Sequence, residues 1–338
     1  MYDINMFKGK LNSNSSEIIY KIKFLCVLSV VFMHSSVSHL VQPKHVTTID
    51  NIRSIFGNYA TINILFILSG YFFFYQINEF NKKIYYKKLT KRIYTLLVPY
   101  AIFCVFGFIF NYLIGDFEYS SLSRLLLKIF WGDPIIEGHP TGRALWFIRN
   151  LIVFALMSPL YYIFIKVFRH LTLLLVFICA IPFIGPQYDY PFFNVFLLFG
   201  AYLGLYGISF EKLFQKIGFI IPSLLVILIL VTDLYFHCFI HPGLIVTCIF
   251  FFFLYGLVSK MNIKQELVAG TTFIYITHMY ITSILRNVLI AILPKILICE
   301  ILAFILTWAL TIFICIKGNK FIKAKIPKLY RIIVGGRT

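Results

Sequence analysis

The sequence predicts an all-α polytopic integral membrane protein, a bundle of about ten transmembrane helices with both termini in the cytoplasm. Three observations carry this expectation. Of the 338 residues, 60% are hydrophobic and 13% charged, with a mean hydropathy of +0.87, whereas about a quarter of a soluble domain is charged. Apolar runs long enough to span a bilayer recur along the whole chain. Lys and Arg gather in alternate connecting segments, the pattern of the positive-inside rule. The net charge of +18 therefore reads as topology, and no nucleic-acid partner is expected.

The runs fall near residues 22–41, 60–77, 93–115, 144–166, 170–186, 191–208, 216–235, 241–259, 267–291 and 296–316. Interior Pro99, Pro159 and Gly200 are tolerated in membranes where neighbouring helices satisfy the freed backbone groups. Ten crossings put both termini on one side. With that side inside, the outer loops hold only Lys44, Arg53, Arg124, Lys128, Arg143 and Lys295, and most other cations are cytoplasmic. A polar tail (1–20) and a basic tail (317–338) then flank a single membrane domain within 1–338. The seven cysteines lie in or beside apolar runs without a CxxC pair, so they read as small buried hydrophobes, and neither disulfides nor a metal are expected. The first run lacks a small-residue cleavage pattern, so no removable signal peptide is expected. No repeat or appended soluble domain is visible, which assigns any reaction to the bundle itself.

The first run carries Lys23 and His34, eleven residues apart. At about 100° per residue they share a face, and at about 1.5 Å per residue the imidazole lies roughly 16 Å deeper than the ammonium, near mid-bilayer. An ionisable group at that depth is a functional candidate, and histidine exchanges a proton near neutral pH. In the second run, Asn63, Ser69 and Gly70 suit close helix packing near the site. Ser69 as a nucleophile would require a partnered base that its surroundings do not offer.

The third run is entered through Asn81-Lys-Lys-Ile-Tyr-Tyr-Lys-Lys-Leu-Thr-Lys-Arg92. Such a row of cations is either an anchor on anionic lipid or a clamp for a phosphate-bearing donor, with Lys88, Lys91 and Arg92 as its core and Lys23 on the same membrane side. Residues 116–143 form the longest outer segment; an amphipathic stretch from Leu122 to Phe130 suits the outer interface. The fourth run opens with Trp146, which suits an interfacial belt, and Arg149, which needs an anion or carbonyl partner within the membrane. Arg286, Asp233 and Glu300 lie at a similar depth, and either a functional group or a structural ion-pair network accounts for them. The ninth run contains the second intramembrane histidine, His278. Two such histidines are open to three readings: structural satisfaction by neighbouring helices, proton transfer at an acceptor hydroxyl, or axial ligation of a haem.

In order along the chain, these segments resemble membrane-bound acyltransferase family 3, the bacterial acyltransferases of surface sugars. The family's basic residue, ten intervening residues and histidine correspond to Lys23 and His34, with lysine in place of the usual arginine. Phe66-Ile-Leu-Ser-Gly70 is similar to its Phe-x-Leu-Ser-Gly segment, and Lys91-Arg92 through Pro99-Tyr100 to its basic entry to helix three. Leu145-Trp-Phe-Ile-Arg149, Phe199-Gly200 and Tyr275-Ile-Thr-His278 continue the series. The resemblance implies an O-acyltransferase, most often an O-acetyltransferase, of the bacterial cytoplasmic membrane. It would use acyl-CoA, in the first place acetyl-CoA, as donor substrate, with no permanently bound cofactor. The acceptor would be a hydroxyl of a cell-surface or lipid-linked saccharide. It makes His34 catalytic with His278 assisting, gives Lys23, Lys88, Lys91 and Arg92 to the donor phosphates, and puts Trp146, Arg149 and Arg286 on the acceptor side. The rival expectation is a transporter or flippase of a lipid-linked saccharide, moving its cargo without bond chemistry. Such a protein should show repeated halves, and none is visible. Membrane lipid is an expected partner in either case, and the oligomeric state is open.

Overall fold

The computed structural model describes residues 13–38, 40–56, 60–75, 77, 79–113, 122–131, 143–179, 191–236 and 243–336. Among the described residues every regular element is helical. In chain order these are α1 (Ser13–His34), α2 (Pro43–Phe56), α3 (Ala60–Phe74), α4 (Lys82–Arg92), α5 (Val98–Leu113), α6 (Leu122–Phe130), α7 (Trp146–Phe168) and α8 (Leu171–Cys179). There follow α9 (Pro191–Leu205), α10 (Phe210–Ile217), α11 (Ile220–Phe236), α12 (Leu244–Ser259), α13 (Gln265–Ala269), α14 (Thr271–Ile292), α15 (Leu297–Lys325) and α16 (Pro327–Ile333). A π-turn, Ile93–Leu97, joins α4 to α5. Among the described residues, four helices are long and apolar enough to cross a membrane: Lys82–Leu113, Trp146–Phe168, Thr271–Ile292 and Leu297–Lys325. The α10–α11 pair, bent by 81°, makes a fifth if it is one span, and Gly218 at φ +75° supplies the bend. The Leu122–Phe130 stretch is α6, while most of the predicted outer segment around it lies outside the described residues.

Met1–Met33, Thr47–Phe80 and Ser158–Val268 make one compact unit. Its centre is the contact of α3 with α9, built from glycine. A Cβ on Gly70 would lie 2.2 Å from the Leu197 carbonyl oxygen, one on Gly200 2.0 Å from that of Ile67, and one on Gly204 2.3 Å from that of Tyr71. The two backbones touch, as small residues permit between membrane helices. Asn63 Nδ2 donates to Thr247 Oγ1 at 3.3 Å, tying α3 to α12, and the Tyr71 hydroxyl donates to the Ile208 carbonyl at 3.0 Å.

His34–Val46, Asn81–Met157 and Ala269–Thr338 make the other unit. Here α14 and α15 pack side by side, with the Thr282 and Thr311 hydroxyls 3.3 Å apart. Tyr280 donates to the Phe103 carbonyl at 3.0 Å, joining α14 to α5, and Tyr100 donates to the Phe130 carbonyl, joining α5 to α6. The π-turn has a local cause. Pro99 carries no N–H for the Thr95 carbonyl four residues back and its ring crowds it, and the ladder widens so that Val98 N–H bonds Ile93 O instead.

α1 stops at His34, several residues short of the predicted run to Val41. Beyond it, Ser36 Oγ accepts from Ser38 N at 3.3 Å, a side-chain bond that competes with helix continuation. His34 is thus the last residue of a helix.

Candidate functional site

The two histidines that the sequence singles out meet. The His34 and His278 rings lie 5.4 Å apart, centroid to centroid, tilted by 40°. His34 is half-buried at the end of α1, and His278 is fully buried in the middle of α14. The Nδ1 atom of His278 faces two backbone oxygens, Tyr275 O at 2.6 Å and Ile274 O at 3.2 Å. A nitrogen so placed carries the proton, which leaves Nε2 with its in-plane lone pair. Nε2 is buried and has no hydrogen-bond partner among the described residues. The result is a neutral imidazole of fixed tautomer with a shielded basic nitrogen beside a second imidazole. Such an arrangement can hold and pass one proton.

Tyr275 orients this pair. Its ring lies 5.9 Å from that of His278 and its hydroxyl donates to the Ala144 carbonyl, binding α14 to the short 3₁₀ turn Arg143–Leu145. From that turn α7 begins with Trp146, and one turn further Arg149 is 3% exposed. The Arg149 guanidinium stands over the Trp131 indole, 5.1 Å from its centre, a cation–π contact strengthened by burial. Arg286 lies on α14, eight residues beyond His278 and half-buried. At about 1.5 Å per residue it is roughly 12 Å along the helix.

Lys88, Lys91 and Arg92 share α4, capped by the Asn81 side chain, which accepts from Ile84 N at 3.0 Å. Between Lys82 and Arg92 the helix carries lysines and an arginine and no acidic residue. Lys23 belongs to the first unit, where its ammonium lies 4.4 Å from the centre of the Phe72 ring and 5.4 Å from that of Tyr20. Asn63, Ser69 and Gly70 are also in the first unit, and each has a packing role. Asn63 bonds Thr247, the Ser69 hydroxyl donates to the Leu65 carbonyl at 2.7 Å, and Gly70 receives the α9 backbone.

One pair lies outside the sequence reading. His45 Nδ1 is 2.5 Å from Glu300 Oε2, and Gln42 N donates to the other carboxylate oxygen at 3.4 Å. Glu300 is 2% exposed. The pair anchors the segment after His34 to the first turns of α15. Nothing local in the sequence links residues so far apart. Glu300 is therefore engaged with His45, and the side chain of Asp233 lies outside the described residues.

The family model for the acyltransferase domain of acyltransferase family 3 matches residues 21–316. An apolar helical chain fits that class, and the chain belongs to this family. It is a multi-pass membrane acyltransferase. A search of curated proteins and a search of solved structures each returned no match.

Proposed function

We propose that the protein moves an acyl group, in the first place acetyl, from cytoplasmic acyl-CoA to a hydroxyl of a cell-surface or lipid-linked saccharide. Its place is the bacterial cytoplasmic membrane, crossed ten times with both termini inside. The observation that carries the reading is the His34–His278 pair, with one ring of fixed tautomer and a buried, lone-pair-bearing Nε2. Acyl transfer to an alcohol needs a base where the hydroxyl loses its proton. His34, at the end of its helix and half-buried, takes that proton as the acceptor oxygen attacks the thioester carbonyl. The C–S bond then breaks, and the thiolate leaves as coenzyme A thiol after taking up a proton. His278 supports the imidazolium formed on His34 through Nε2. Arg149, Trp146 and Arg286 belong to the acceptor side. Lys88, Lys91 and Arg92 favour the donor's phosphates, for which arginine offers paired donors and lysine a mobile charge. No permanent cofactor is needed.

The test is transfer of radiolabelled acetyl from acetyl-CoA to a saccharide fraction in inverted membrane vesicles. His34→Ala at normal membrane abundance is expected to lose it, and retained activity would sink the mechanism. Transport of a lipid-linked saccharide without coenzyme A binding would favour the transporter instead.

A further inference from the structure

The residues after 316 lie beyond the family match, yet they are built into the second unit. We propose that the C-terminal segment completes the donor site, with Arg331 on α16 joining Lys91 and Arg92 in binding the phosphates of acyl-CoA. This rests on the acyl-CoA reading above.

Three contacts hold the segment. The Tyr330 hydroxyl donates to Asn319 Oδ1 at 2.8 Å, its ring stacks on Phe273 of α14 with centroids 6.3 Å apart, and Tyr330 and Val334 are 2% and 1% exposed in one cluster with Phe273. The helix then ends in a glycine pair. Gly335 and Gly336 adopt φ +63° and +71°, and Gly336 N donates to the Arg331 carbonyl at 2.7 Å, the left-handed stop that glycine permits. One further contact decides where this end goes. A Cβ on Gly335 would lie 2.5 Å from the Thr95 carbonyl oxygen, so only glycine can approach so closely. That carbonyl is the one to which Pro99 offers no N–H, inside the π-turn that directly follows Arg92.

The cations follow from this docking. Thr95 is three residues from Arg92 and four from Lys91, so all three fall within about one turn of the chain as α4 passes into the π-turn. Arg331 is one helical turn from Gly335 through the bond to Gly336 N. Arg92 is half-buried, and Lys91 and Arg331 are exposed. The end of α16 is thus seated within about a turn of Lys91 and Arg92, and Arg331 brings a third positive charge to that end, which a polyanion offsets. A pyrophosphate with a further phosphate, as coenzyme A carries, is such a polyanion.

The experiment measures binding of coenzyme A to the full chain in phosphatidylcholine nanodiscs, with Arg92→Ala as reference. Arg331→Ala is expected to weaken binding about tenfold and to raise KM for acetyl-CoA while leaving kcat unchanged, with Arg331→Lys recovering part of the loss. A purely structural role would not produce that split. Unchanged binding in Arg331→Ala, with Arg92→Ala weakened, overturns this inference and leaves the donor reading standing. Failure of the wild-type chain to bind coenzyme A removes both. In a second arm, nanodiscs containing phosphatidylglycerol test the lipid alternative. If Arg331→Ala changes only the response to that lipid, the proposal fails.

Discussion

His278→Asn tests the histidine pair most directly. The wild-type ring uses Nδ1 to donate to Tyr275 O at 2.6 Å and keeps Nε2 buried without a partner among the described residues. Asparagine retains an amide donor where Nδ1 sits and has nothing at the position of Nε2. The backbone contact therefore survives and the lone pair disappears. When His34 takes a proton, its ring, centred 5.4 Å away, becomes a charged donor for that lone pair. A hydrogen bond to a charged group contributes about 1.5–3 kcal/mol, which corresponds to about 10- to 150-fold in kcat. Because the bond forms only as the proton moves, KM for the acyl donor should stay within about twofold of wild type. The assay is the vesicle transfer reaction, normalised to the amount of protein in the membrane. A kcat within about threefold of wild type would refute the argument, since the lone pair would then play no part in the rate-determining step.

Two further outcomes concern stability. Gly200→Ala puts a methyl 2.0 Å from the Ile67 carbonyl oxygen, so α3 and α9 must separate. Overpacking of this kind costs about 1–3 kcal/mol, and the midpoint of thermal unfolding in detergent should fall with membrane abundance; an unchanged midpoint would mean that the backbones do not touch. Glu300→Ala leaves His45 Nδ1 and Gln42 N without their acceptor, at a cost of about 1–3 kcal/mol, while Glu300→Gln keeps an acceptor oxygen and should cost less. Midpoints equal to that of wild type in both variants would show that the carboxylate is not what holds the segment after His34.

Much of the architecture was readable residue by residue. Each predicted apolar run contains a helix, because hydropathy and the restriction of membrane backbone to helices are local properties. The ends were less readable. α1 stops at His34 because the Ser36 side chain competes for a backbone N–H, and α4 continues into α5 through a π-turn caused by one proline. Asn63 bonds Thr247 of α12, Ser69 bonds Leu65 of its own helix and Gly70 meets the α9 backbone, and the α12 and α9 partners are indicated by nothing in the sequence.

Hydropathy and the placement of charge, read along the chain alone, determined that this protein lives in a membrane, that it is helical, and that two histidines and a row of cations sit where apolar residues were to be expected. The contacts among them were decided by packing. His34 faces His278 across 244 positions of chain, His45 finds Glu300, and Gly335 seats on Thr95, because helix surfaces of complementary shape bring those residues together. Periodicity says which face of a helix is buried, but the partner on that face is chosen by three-dimensional fit, which no local pattern records.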